Sequence, residues 1–469
     1  MEPTPRSTRW LVVFVAVCVV FAGLGGFLAY RFVSNTDSPT EWDPKVQSIV
    51  TFVENETDLS FTRPVRIRFL ADDEFNKQVT KDEGSLSDKE RAAIADDEAV
   101  GRAFGWYTGT TDLLKEQNTL NSSGILAYYD FGSRQIVARA EDPAATTLSV
   151  TLRTTIAHEL VHALQDQRLK IRSLQSKAKG PEAVRALTAL FEGHAVYVEG
   201  KYLASLPATE QEAYFDDIGK MTGDIKETTK DIARVTAAAL EAPYVIGPSL
   251  VAAAAVTKAG VDQLFVRPPV ALDQVLDPAA YFAQDAPESV DPPKVEGSRV
   301  DSGTLGIVRL YLTLASAIGA EKAWTAAAGW GNDTFVASRS AKDSPVCVHW
   351  VLVADNADAT KTLQDALTRW ASSRVKEASA RAEERGGTID VRFCDPGKAI
   401  SQTLLGQEPI DFFYTRANLL EALIENTGSL DVAACATESI MRNEKITTLQ
   451  NPDDAVRARV AAAVAACPR

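Results

Sequence analysis

Histidine is scarce in this chain, with four in 469 residues, and so are methionine, with three, and cysteine, with five. No C-x-x-C pair occurs among those cysteines, so the usual spacing of a zinc ribbon or finger is missing. Basic residues are outnumbered, 49 Lys plus Arg against 63 Asp plus Glu, for a net charge of −14 and no local basic patch. Such a surface repels phosphate backbones and excludes a nucleic-acid partner. The 27 Gly and 21 Pro are dispersed and no internal repeat is visible, which excludes collagen-like, low-complexity and solenoid chains. What is there is ordinary: 45% hydrophobic and 24% charged, enough for two or three domains of roughly 100–200 residues each.

The one long apolar run is WLVVFVAVCVVFAGLGGFLAY, residues 10–30, without a charge. As a helix at 1.5 Å per residue it spans about 30 Å, the hydrocarbon thickness of a bilayer. Arg6 and Arg9 precede it and Asp37, Glu41 and Asp43 follow it, favouring a cytoplasmic N-terminus and an exported remainder. A cleavable signal peptide is the rival reading, but no small-x-small site follows Tyr30. The expectation is a cytoplasmic tail (1–9), a single-pass anchor (10–33) in the cell membrane and a polar tether (34–44), with the bulk of the chain extracytoplasmic.

Export changes how the remaining cysteines read. Cys347, Cys394, Cys435 and Cys467 all lie in the last third, and four exported cysteines favour two disulfides. Of three pairings, Cys347–Cys394 with Cys435–Cys467 is expected, because each closes a modest loop.

Along the exported part, PVRIRFL (64–70) alternates as a half-buried strand, and GILAYYDFGSRQIVARAED (124–142) has two β-rich runs around a turn, a hairpin signal. Residues 147–206 have a helical pattern with a break near 179–181, and 210–260 continue it, with a Pro-flanked turn at Tyr244 in APYVIGP. Residues 267–295 are expected to run extended over the surface. After Gly303 helix and strand patterns alternate, an accessory α/β region over 301–469 that follows a domain over 45–300.

The scarce histidines are concentrated. His158-Glu159-Leu160-Val161-His162 puts two imidazoles at i and i+4, one turn apart on one helix face, where both can grip one metal ion. Glu159 projects beside that face and can take a proton from a water at the metal's open position. With so few histidines, H-E-x-x-H arises by chance in on the order of one in a thousand such chains. Ile156, Leu160, Ala163 and Leu164 supply the apolar back of the helix.

A catalytic zinc needs a third protein ligand. The H-E-x-x-H-x-x-G-x-x-H solution is absent, since residue 165 is Gln and residue 168 is Arg. The next helix, ALFEGHAVYVEG (189–200), offers Glu192 or His194, which point about 200° apart and cannot both face one metal. Glu192 has the better surroundings; Gly193 beside it allows close helix approach.

TTIAHELVHALQDQ (154–167), ALFEGHA (189–195) and ILAYYDFGSRQIVAR (125–139) together resemble the gluzincins, zinc peptidases with two histidines and a downstream glutamate, and more closely their exported bacterial, minigluzincin-like members. A weaker likeness continues through PYVIGP, residues 268–282 and residues 326–336. The resemblance implies an α+β fold with a zincin-like core, in which a small sheet with an edge strand packs on an active-site helix and a glutamate helix. It implies Zn2+ on His158, His162 and Glu192, with Glu159 as general base, and a peptide or protein substrate paired along the hairpin's edge strand. One position departs: the family places an aspartate four residues after the ligand glutamate, where this chain has Val196. Asp166 or Glu199 are the candidates to orient a ligand histidine instead. For a donor to the developing oxyanion the candidates are Tyr197, Tyr202, Tyr244 and His349, with Tyr244 preferred. The reading is a membrane-anchored zinc metallopeptidase; the alternatives are a binding or assembly module that keeps the fold without turnover, and a zinc hydrolase of some other substrate.

Overall fold

The computed structural model describes residues 39–258 and 260–468, so the expected tail, the anchor and most of the tether lie outside the described residues. The described end of the tether is pinned to the fold, because the Trp42 ring meets Phe61 edge-on at 4.9 Å.

The chain is a mixed α+β structure with two sheets. The first has strands β1 (Arg66–Leu70), β2 (Ala127–Asp130) and β3 (Gln135–Arg139) in the order β1-β3-β2. β2 and β3 form the expected antiparallel hairpin, and β1 joins β3 in parallel, which leaves β2 at the edge. Beneath lies the motif helix, Val150–Arg168, started by Ser149, whose hydroxyl accepts the Leu152 N–H. Its apolar back, Ile156, Leu160, Ala163 and Leu164, is fully buried and packs with Ile136 and Tyr129 of the sheet and with Ile49, Val50 and Val53 of the helix Gln47–Thr57.

The break near residue 180 separates the motif helix and a short helix, Ile171–Lys177, from the glutamate helix, Gly180–Ser205, which carries Pro181 in its first turn. A third long helix, Arg234–Ala255, crosses it at two glycines. A Cβ on Gly193 would sit 2.2 Å from the Gly247 carbonyl carbon, and one on Gly247 would sit 2.0 Å from the Ala189 oxygen. Only glycine allows this approach. The segment expected as a Pro-flanked turn is therefore helical, with Pro243 and Pro248 inside it. Dense packing on both sides compensates for the hydrogen bonds the prolines remove. This helix is long and apolar enough by composition to cross a membrane, but 78% of its apolar window is buried inside the protein, as in a core helix.

The expected surface stretch after residue 260 includes short helices at Asp262–Val266, Asp273–Leu276 and Pro278–Ala283 before it runs extended. The second sheet then follows, with β4 (Ser298–Gly303), β5 (Trp330–Arg339), β6 (Cys347–Ala354), β7 (Arg381–Arg385) and β8 (Thr388–Cys394) in the order β4-β5-β6-β8-β7. Every neighbouring pair is antiparallel. The accessory region is thus α+β in topology and not α/β: short turns join β5 to β6 and β7 to β8, and the helix Ala357–Ser373 is the one crossover between β6 and β7.

The expected boundary at residue 300 falls inside β4, and the core runs across it. Phe104, ending the helix Asp88–Phe104, makes edge contacts with Phe335, Trp350 and Phe393, while Trp370 meets Phe393 from the crossover helix. Asp333, wholly buried, accepts the Leu305 and Gly306 N–H groups and the indole N–H of Trp330 and Trp350. The four donors offset part of the cost of burying this carboxyl, whose pKa burial still raises, and hold the start of the helix Ile307–Ile318 against the sheet. Both disulfides have the expected partners: Cys347–Cys394 joins directly opposed residues of β6 and β8, and Cys435–Cys467 ties the helix Leu430–Asn443 to the chain end.

Candidate metal centre

Three buried side chains converge where the motif helix faces the glutamate helix. His158 Nε2 and His162 Nε2 lie 3.1 Å apart, and Glu192 Oε2 lies 3.3 Å from the first and 3.1 Å from the second. They are the one group of three potential ligands found among the described residues. At zinc bond lengths of about 2.0–2.2 Å, the edges of a tetrahedron are about 3.4 Å, so the triangle matches three of a zinc ion's four corners. The donor set, two imidazoles and a carboxylate, suits zinc and leaves one corner for another ligand.

The carboxylates around the two histidines favour positive charge at that point. Burial opposes charge on His158 and His162, yet Glu192 beside both and Glu199 beside His158 outweigh it, so both pKa values are raised. Burial likewise opposes charge on Glu192, but the two histidines pull its pKa down to about 2. His194 is the contrast. It is as buried as the others, meets no carboxylate, and burial takes its pKa down to about 4, leaving a neutral ring. It turns away from the triangle to the Phe265 ring at 5.3 Å. Of the two candidates for third ligand, Glu192 is the one brought to the histidines.

The outer contacts divide differently from expectation. Glu199 Oε2 lies 3.0 Å from His158 Nδ1. Asp166 makes no contact with a histidine; it accepts the Tyr129 hydroxyl at 3.0 Å and the Arg172 guanidinium at 2.8 Å, clasping the hairpin to the end of the motif helix. The sequence reading missed Gln165, fully buried, whose Oε1 lies 3.1 Å from His162 Nδ1. Its signal was faint: a glutamine three residues after a ligand histidine, on the buried side of the helix.

Glu159 is fully buried and neither carboxylate oxygen has an aligned hydrogen-bond partner. Burial raises its pKa, offset by the nearby histidines and slightly by the Tyr129 backbone of edge strand β2, towards which it lies. Of the four candidate oxyanion donors only Tyr244 is at the cluster: its ring stacks near His158 at 6.3 Å, and burial together with the Glu192 and Glu159 charges keeps its phenol protonated. Tyr197 lies under the Lys201 ammonium, Tyr202 packs on Phe52, and His349 pairs with Asp390 at 2.6 Å on the second sheet.

Residues 293–400 match a family described as a domain of unknown function (DUF8575). The match covers β4 to β8 and leaves the histidine cluster outside it. No curated protein and no solved structure matches the chain.

Proposed function

We propose that this chain is a zinc metallopeptidase of the gluzincin type, anchored by residues 10–33 and working outside the cytoplasm. The observation that carries the reading is the triangle of His158, His162 and Glu192 with an unpartnered Glu159 beside it. Two disulfides support an oxidising compartment.

A zinc ion in the triangle would supply a Lewis acid for a substrate carbonyl and bring the pKa of its water towards ~7. His158, His162 and Glu192 would hold the ion. Glu159 accepts the proton of the attacking water at its carboxylate and passes it to the leaving amine. Tyr244 keeps its proton, which its hydroxyl shares with Glu192, and can redirect it to charge developing on the carbonyl oxygen. Strand β2 pairs with β3 on one side only, and an extended peptide can add along its other side.

The near-complete burial of the cluster favours one other reading, a zinc-bearing binding module without turnover: the side chains of His158, His162 and Glu192 are only 4%, 6% and 9% exposed. Against it stands Glu159, since a buried carboxylate without partners costs stability and has no place in a purely structural site. The test uses the full-length chain: zinc per chain, and cleavage of broad peptide libraries by wild type and Glu159→Gln. Stoichiometric zinc with cleavage abolished in the variant supports the peptidase. Zinc without cleavage of any library or cell-envelope protein supports the module, and a chain that binds no zinc rejects both.

A further inference from the structure

Two metal-ligand histidines must each present an unprotonated Nε2, which requires the proton on Nδ1. For His158 the Glu199 carboxylate imposes this, since it can only accept. For His162 the facing group is the Gln165 side chain, and an amide can turn either way.

A third residue decides which way. The other end of the Gln165 amide lies 2.9 Å from the Phe191 carbonyl oxygen and 3.3 Å from His194 Nδ1. A carbonyl oxygen only accepts, so the atom facing it is the NH2, and it donates to Phe191 and to His194. The amide oxygen is thereby turned to His162, 3.1 Å from Nδ1. That oxygen cannot donate, so His162 keeps a proton on Nδ1, and Nε2, which faces Glu192, is the nitrogen that can give up its proton to a metal. Phe191 immediately precedes Glu192. The backbone that carries the third ligand therefore dictates, through one amide, the tautomer of the second.

We propose that Gln165 is a positioning residue that sets the tautomer of His162 and couples it to the docking of the helix bearing Glu192. The proposal rests on the zinc reading for its purpose, but its geometry can be tested without it. Neither histidine ligand is then competent by itself: His158 depends on Glu199 and His162 on Phe191, and both sit on the glutamate helix. Metal binding and helix docking become one event.

The test uses the full-length chain with 15N-labelled histidine, where four residues give a countable spectrum, and zinc alone as the probe. In wild type the His162 ring should show a protected Nδ1 proton, with Nε2 responding to zinc. Gln165→Met keeps the bulk and removes the acceptor; it should weaken zinc binding about 10–100-fold and lose that protection. Gln165→Glu keeps the acceptor and gives up the donor; it should bind zinc far more tightly than Gln165→Met. A role confined to tying the helices together predicts the opposite ranking, because the donor to Phe191 is what holds them. The proposal is overturned if Gln165→Met binds zinc like wild type, if Gln165→Glu falls with or below it, or if zinc-loaded wild type carries the His162 proton on Nε2. If wild type binds no zinc, the zinc reading fails separately, and a protected Nδ1 proton lost in Gln165→Met still decides the proposal.

Discussion

Glu199 Oε2 accepts from His158 Nδ1 at 3.0 Å, two helical turns beyond Glu192 on the same helix. Positions seven apart share a helix face, so one face of the glutamate helix supplies both a candidate metal ligand and the group that orients another. This answers the departure at Val196: the carboxylate missing there is supplied one turn later. Glu199→Ala should weaken zinc binding about 10–100-fold, read by competition with a chromophoric chelator. Asp166→Ala, at the other residue considered for this role, should leave zinc affinity unchanged and increase hydrogen exchange in the β2–β3 hairpin. Equal losses in the two variants would contradict the assignment.

Glu159 is held where its carboxylate has no aligned partner and burial raises its pKa. Relieving that should stabilise the fold. Glu159→Gln in the metal-free chain is expected to raise unfolding stability at about neutral pH by on the order of 1–3 kcal/mol, measured by denaturant titration, while zinc stoichiometry remains one per chain. A destabilised variant would mean the carboxylate has a structural partner after all.

Local signals carried most of what could be read in advance. The i, i+4 histidines need only helix geometry to meet, and the apolar back of the motif helix, the β2–β3 hairpin and the disulfide pairing each depend on short stretches or modest loops. What escaped depends on contacts between distant segments. Gln165 acquires its role only when Phe191 docks beside it, 26 residues on. Tyr244 was singled out for a turn it does not occupy, and reaches the cluster because Gly193 and Gly247 let two helices touch. The boundary at residue 300 follows from the change there to alternating helix and strand patterns, yet Phe104 is buried against a sheet more than 200 residues further along the chain.

Glu421, on the helix Glu408–Thr427, is 4% exposed, and its pKa is pushed up to about 8 by burial and by Glu425, against a smaller opposing effect of Lys201. An unfolded glutamate titrates near ~4.3. Between those values the folded chain binds a proton that the unfolded chain has released, so stability falls as pH rises through that window. Glu421→Gln should match wild type at about pH 4 and exceed it at about pH 8, by on the order of a few kcal/mol. Parallel pH–stability curves for the two proteins would show that Glu421 is ionised in the fold.

Gly193→Ala places a Cβ 2.2 Å from the Gly247 carbonyl carbon, which is backbone and cannot rotate away. The two helices must separate, and the cost of such overpacking is about 1–3 kcal/mol. Separation also moves Tyr244 off His158 and draws Glu192, the neighbour of Gly193, away from the histidines. The expected outcome is therefore a lowered thermal midpoint together with weakened zinc binding. Gly219→Ala, inside the helix Ala208–Thr228 where a Cβ would meet nothing within 4 Å, is the control: it should leave zinc binding unchanged and, by removing a glycine from a helix, raise the midpoint slightly. A Gly193→Ala variant that loses stability but binds zinc with wild-type affinity would show that the crossing supports the fold without positioning the ligands.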